Sequence, residues 1–181
     1  LTRGTRDAPG TGRAADDGLR LESFLPYRLN VAAETVSLAL SRLYAERYGI
    51  GIPEWRVIAT LGQYQTMTAK DVGLHSQMHK TKVSRAVASL LRKGFIEKRA
   101  NPLDKRATFL SLTAKGDTTY AALVPLARAF SERLAAELQA SDIAVLETAL
   151  QRLGETAARV AEEIAGEDRP ASGEAKREAR P

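Results

Sequence analysis

The sequence predicts a mainly α-helical fold with one small β-hairpin, in which a helix–turn–helix lobe is flanked by long helices at both chain ends. Three observations lead to it. Apolar residues recur at helical spacing through about six segments. Residues compatible with β-structure bracket a single Asn-Pro turn between Phe95 and Leu112. Positive charge is concentrated in one block: Thr66–Lys115 carries 11 basic and 3 acidic residues, whereas Gly116–Ala165 carries 4 basic and 8 acidic.

Taken in order, residues 1–19 mix Gly, Pro, Ala and charges without periodicity and read as a disordered tail, as do residues 166–181. Residues 20–165 between them are expected to form one domain of ordinary size. The first helix spans about Pro26–Tyr48, where Val31, Thr35, Leu38 and Leu43, with small Ala32 and Ala39, form an apolar stripe. Gly49 and Gly51 end it. Pro53 suits a first helical turn and Glu54 complements the helix dipole, so a second helix runs to about Leu61, where Gly62 stops it. It buries Trp55 or Val57, together with Ile58 and Leu61.

Thr68 and Asp71 have the spacing of a capping box, with Asp where Glu is usual, and open a short third helix, about Ala69–His75. The fourth helix, about Lys80–Lys93, has Val83, Val87, Leu90 and Leu91 on one face. Thr81, Arg85, Ala88 and Arg92 lie opposite, flanked by Lys82, Ser84 and Ser89, and Gly94 closes the helix. Phe95–Ala100 and Ala107–Leu112 form the hairpin, whose connection is basic at its tip. Thr113 caps a long helix to about Leu138, with Pro125 expected to kink it near Ala121–Leu123. Ser141 and Asp142 start the last helix, which runs to about Ala165 and carries the stripe Val145, Leu146, Ala149, Leu153, Thr156, Val160 and Ile164. Long striped helices at both chain ends, with no obvious partner layer, are expected to pair with a second copy of the chain.

Composition narrows the function. The chain has no Cys, which removes disulfides, thiolate metal sites and thiol-based redox sensing. No apolar run approaches the roughly 20 residues that span a bilayer. The opening stretch lacks the apolar core of a signal peptide, so a cytoplasmic protein without membrane contact is expected. No activated nucleophile, paired carboxylates with a pocket, or glycine-rich phosphate loop is visible, so the chain does not read as an enzyme, and no cofactor is expected. A compact basic block on a helix–turn–helix pattern is the electrostatic footprint of a nucleic-acid binder, against the plainer reading of a solvated face.

The segments KVSRAVASLLRKGFIEKR (Lys82–Arg99), DKR (Asp104–Arg106), LTAKG (Leu112–Gly116) and IPEWRVIATLG (Ile52–Gly62) resemble, in that order and spacing, the MarR family of winged helix-turn-helix transcription regulators. The resemblance covers about Phe24–Ile164. It implies a winged helix-turn-helix lobe at about residues 53–112 and dimerisation helices at about 24–48 and 113–165. It further implies an obligate homodimer on a pseudo-palindromic site in double-stranded DNA, with recognition helices in successive major grooves and wings reaching flanking minor grooves. Half-sites about one helical turn apart, roughly 34–36 Å, fit paired long helices as a spacer. One departure is His79, which stands where family members often place Ser or Asp.

On this reading Thr81 and Arg85 are expected to meet base edges, since Arg can bond guanine bidentately and a Thr methyl can meet a thymine methyl. Lys80, Lys82, Ser84 and Ser89 are expected to hold phosphates, and His79 to cap the helix and bond one. His75 and His79 share a spacing that can bind metal, but nothing in the sequence completes a site. Arg106 is the candidate for minor-groove insertion, oriented by Asp104 as in similar wings, with Lys105 on the backbone. Similar proteins bind small aromatic or anionic ligands in a crevice between the dimer helices and the DNA-binding lobe. Tyr27, Arg28, Asn30, Trp55 and Arg56 are candidates to line it, as an Arg fork for a carboxylate and flat aromatic walls. The alternative leaves Trp55 in the core and Arg28 in an inter-subunit ion pair.

PYRLNVAAETVS and IPEWRVIA are similar to a branch that responds to aromatic acids or their CoA thioesters. The leading expectation is therefore a repressor released by such an effector. A DNA-binding regulator or architectural protein without an effector, and a helical interaction scaffold, remain the alternatives.

Overall fold

The computed structural model describes residues 18–100 and 108–167. Helices α1 (Leu25–Ser41), α2 (Ala45–Tyr48) and α3 (Ile52–Tyr64) precede a short strand β1 (Met67–Thr68). Then come α4 (Ala69–Ser76), α5 (Lys80–Lys93), β2 (Ile96–Ala100), β3 (Thr108–Leu112), α6 (Ala114–Ala135) and α7 (Ala140–Glu167). The fold is mainly helical with a small antiparallel sheet, as expected. Two compact units divide at Ala127, part-way along α6. No helix among the described residues is long and apolar enough to cross a membrane.

The core of the first unit lies where α3, α4 and α5 meet the sheet. Val57, Ile58, Val72, Leu90 and Leu110 are each at most 1% exposed there. Local chemistry sets the elements. Thr68 and Asp71 cap α4 reciprocally: Thr68 Oγ1 accepts from the Asp71 amide at 3.2 Å, and Asp71 Oδ2 accepts from the Thr68 amide at 3.3 Å. Gln77, with φ 52°, turns the chain out of α4, and buried Met78 anchors that turn to the core. Gly94 ends α5 at φ 71°, a left-handed conformation that costs Gly least. Thr113 serves two elements, donating to the Gly94 carbonyl at 2.7 Å and accepting from the Gly116 amide at 3.2 Å to cap α6.

Three details differ from the sequence expectation. The first helix is broken: α1 tightens into i→i−3 bonds after Ser41, and α2 follows. The turn accompanies burial of Tyr44, 2% exposed and stacked on Trp55 at 5.6 Å. Helical periodicity runs through this turn with no Gly or Pro to mark it. The second helix continues past Gly62 to Tyr64, because Gly62 is there for closeness: a Cβ would come within 2.6 Å of the Tyr120 ring. The hairpin gains a third strand, in order β1-β3-β2, with Met67 opposite Leu110. Two residues are too few to show a strand's alternation in sequence.

Helix α6 continues through Pro125 and ends at Ala135, short of the expected Leu138. In the second unit α7 spans 28 residues and buries none of them. Its Val145, Leu146, Val160 and Ile164 are all exposed, as are Leu25, Val31, Val36 and Leu38 of α1 in the first unit.

Candidate nucleic-acid interface

Helix α5 is strongly two-faced. Val83, Ala86, Val87 and Leu90 are buried, while Lys80, Thr81, Lys82, Ser84 and Arg85 are exposed. Burying each such Val or Leu contributes about 1.5–3 kcal/mol, so the apolar face fixes the helix rotation and thereby aims the opposite face outward. His79 is the N-cap, its Nδ1 accepting from the Thr81 amide at 3.4 Å. Among the described residues Lys80, Lys82 and Arg85 form no ion pair, which leaves their charge available. The expected wing residues Asp104, Lys105 and Arg106 lie outside the described residues.

Ser89 departs from this outer face. It is half-buried, and it is among the groups that hold the Glu54 carboxyl of α3 below its usual range. The helical wheel placed it on a flank; the approach of α3 decides that this flank faces inward.

Glu54 holds the interface together from behind. Its Oε2 accepts from the Gly51 amide at 2.6 Å, half of a capping box, and its Oε1 accepts from Lys93 Nζ at 2.7 Å. Lys93 also donates to the Gly49 carbonyl at 2.6 Å, so one ammonium ties the end of α5 to both ends of the α2–α3 turn. Burial alone raises the Glu54 carboxyl pKa, but the Lys93, Ser89 and Gly51 donors together outweigh it and leave it below its usual 4.5. The pair therefore stabilises the fold above the unfolded carboxyl pKa, and that contribution is lost as pH falls through the lower folded value. Lys93→Met strands the carboxylate. Because the Lys93 side chain is 36% exposed, the expected cost is about 1–2 kcal/mol, less than for a fully buried pair. Thermal melts should show that deficit at pH 7 and a narrowing of it below about pH 4. A deficit of equal size at both pH values would contradict this role.

The expected ligand residues do not converge. Tyr27, Arg28 and Asn30 are exposed at the start of α1. Arg56 instead donates to Ser37 Oγ at 3.4 Å, and Trp55 stacks on Tyr44. At about 1.5 Å per residue, Asn30 lies roughly 10 Å and Tyr27 roughly 15 Å along α1 from Ser37. Trp55 is half-buried, between the two readings made of it. Burial pushes the Tyr44 hydroxyl up to about 12, with Arg56 opposing, so this ring stays neutral at ordinary pH. Sequence reasoning missed Tyr44 and Ser37 because neither stands out from the α1 pattern. A separate open hollow of about 330 Å³ lies around Gln65, Ser111 and Asp117 and includes none of the expected ligand residues.

The family model described as "MarR family" matches residues 48–107, which hold α3, α4, α5 and β2 in full. The HTH-type transcriptional regulator BilQ of Clostridium symbiosum is 28% identical over 111 residues, 61% of this chain and 77% of that protein. Residues 48–107 are thus a MarR-family segment with the winged-helix fold, and the relatives that the chain resembles are HTH-type transcriptional regulators. A MarR/EmrR family regulator from Acinetobacter sp. ADP1 superposes with TM-score 0.71 at 25% identity, over 78% of this chain and 99% of that one. The PcaV regulator of Streptomyces coelicolor, solved in complex with its natural ligand, shares the fold at TM-score 0.67 and 20% identity, over 77% and 98%. Within this MarR-like segment α4 and α5 form the helix–turn–helix, followed by the β2–β3 hairpin of the winged-helix fold.

Proposed function

We propose that the protein is a homodimeric repressor that binds a pseudo-palindromic operator through α5 and is released from it by a small aromatic acid or aryl-CoA. The observation that carries the DNA reading is the exposed basic face of α5, without an ion pair among the described residues, opposite a buried one. Thr81 and Arg85 meet base edges; Lys80, Lys82 and Ser84 hold phosphates. Arg106, oriented by Asp104 and accompanied by Lys105, enters the minor groove. Support for the dimer comes from the apolar residues that α1 and α7 leave exposed. The effector reading rests on the aromatic and cationic residues Tyr27, Arg28, Asn30, Trp55 and Arg56. An effector acts by binding more tightly to a dimer whose lobes are mis-spaced for DNA.

A thermal-shift screen of phenolic acids, aryl acids and aryl-CoA compounds, followed by DNA release in fluorescence anisotropy, tests the effector. A ligand present at a hundred times its Kd should stabilise the protein by about 2.7 kcal/mol and lower its operator affinity. A screen in which no compound does either favours the second reading, a regulator without an effector. The distance between the α1 cluster and the Arg56–Ser37 contact is the observation on that side.

A further inference from the structure

We propose that His79 is a proton-operated cap on the recognition helix, so that DNA binding takes up a proton and strengthens as pH falls. This rests on the reading of α5 as the DNA-reading helix. An imidazole can accept the Thr81 amide only through an unprotonated Nδ1, the contact seen at 3.4 Å. The imidazolium has an N–H on both nitrogens and no acceptor, and it is a cation at the positive end of the helix dipole. In free protein the capped state therefore requires the neutral ring. Ser or Asp at this position would keep its acceptor throughout the neutral range; His does not.

A phosphate at this helix end inverts the balance. It accepts the Thr81 amide in place of Nδ1 and gains a charge-assisted bond from the imidazolium, which is then free to turn outward. His79 is exposed and has room to do so. Among the described residues, the neighbouring charged groups offer no free anion. Helix α4 carries Lys70 and Asp71 in its first turn and His75 in its last, nearest the turn to His79, and α5 brings Lys80, Lys82 and Arg85. Asp71 is held by Thr68, while His75 lies on the Tyr64 ring at 4.4 Å. On α3, packed against both helices, Glu54 is bonded to Lys93 and Arg56 to Ser37. Only 2 His and no Cys occur in the whole sequence, so few other side chains can titrate between about pH 5 and 8.

The experiment measures DNA affinity by fluorescence anisotropy at constant ionic strength from pH 6 to 8, using the promoter duplex beside the protein's own gene. Three proteins are compared: native, His75→Asn and His79→Ser, the last keeping a good helix cap without a titrating group. Native protein and His75→Asn should bind at least about tenfold more tightly at pH 6 than at pH 8, as proton uptake at the two caps of a dimer requires. His79→Ser should show no such slope, and should not become the weaker binder at pH 8. Isothermal titration in buffers of different ionisation enthalpy should show net proton uptake for the first two proteins only. Affinity that does not change with pH in the native protein, or a slope that survives in His79→Ser or vanishes in His75→Asn, overturns the proton switch alone. Absence of binding to any duplex by all three proteins at every pH overturns the DNA-binding reading and the switch with it.

Discussion

Replacing Arg85 by Ala lowers affinity for the specific operator by roughly 30- to 20,000-fold, while binding to random duplex falls only several-fold. Each bidentate Arg–guanine contact discriminates by about 1–3 kcal/mol, and a symmetric dimer makes it twice. The side chain is exposed and carries no ion pair among the described residues, so the substitution leaves folding within about 0.5 kcal/mol. Anisotropy titrations on operator and scrambled DNA at one salt concentration separate the two effects. Base preference should relax at a single position in each half-site. Arg106→Ala, at the residue proposed to enter the minor groove, is expected to weaken all duplexes together and flatten the salt dependence. Equal loss on both DNAs for Arg85→Ala would falsify its base-reading role.

Gly116→Ala is expected to destabilise the fold by about 2–3 kcal/mol, lowering Tm by roughly 5–10 °C for a domain of this size. Two effects oppose each other. Ala in a helix is favoured over Gly by about 1 kcal/mol. Gly116, however, is buried in the first turn of α6, and a Cβ there would collide with the backbone carbonyl oxygen of Phe95. That carbonyl accepts from the Thr113 amide at 3.0 Å, so it cannot retreat without breaking the bond that sets β2 beside the start of α6. Overpacking against backbone costs about 3 kcal/mol, and the clash wins. Calorimetry of the variant is the measurement, and an unchanged or raised Tm would show that this junction is loose. The same collision gives LTAKG a physical meaning: Thr113 caps the helix and Gly116 lets it approach the wing.

Much of this was legible from residues alone. The capping box of Thr68 and Asp71, the two faces of α5 and the Gly94 stop are local, each decided within about two turns of chain by spacing or cap chemistry. The charge block pointed to the same helix. The failures were also specific. Tyr44 breaks a helix whose periodicity continues. Strand β1 is too short to have a period.

What the sequence by itself determined, then, is the order of the longer elements, the buried face of α5 and the place of the basic residues. These follow from short-range periodicity and caps, which a single helix carries with it. The tertiary structure alone decided that Glu54 and Lys93, 39 positions apart, join α3 to α5. It alone decided that Trp55 rests on Tyr44, and that Tyr27, Arg28 and Asn30 stand away from Arg56. Such pairings depend on how separate helices cross, and crossing is set by the packing of whole faces, which no local pattern encodes.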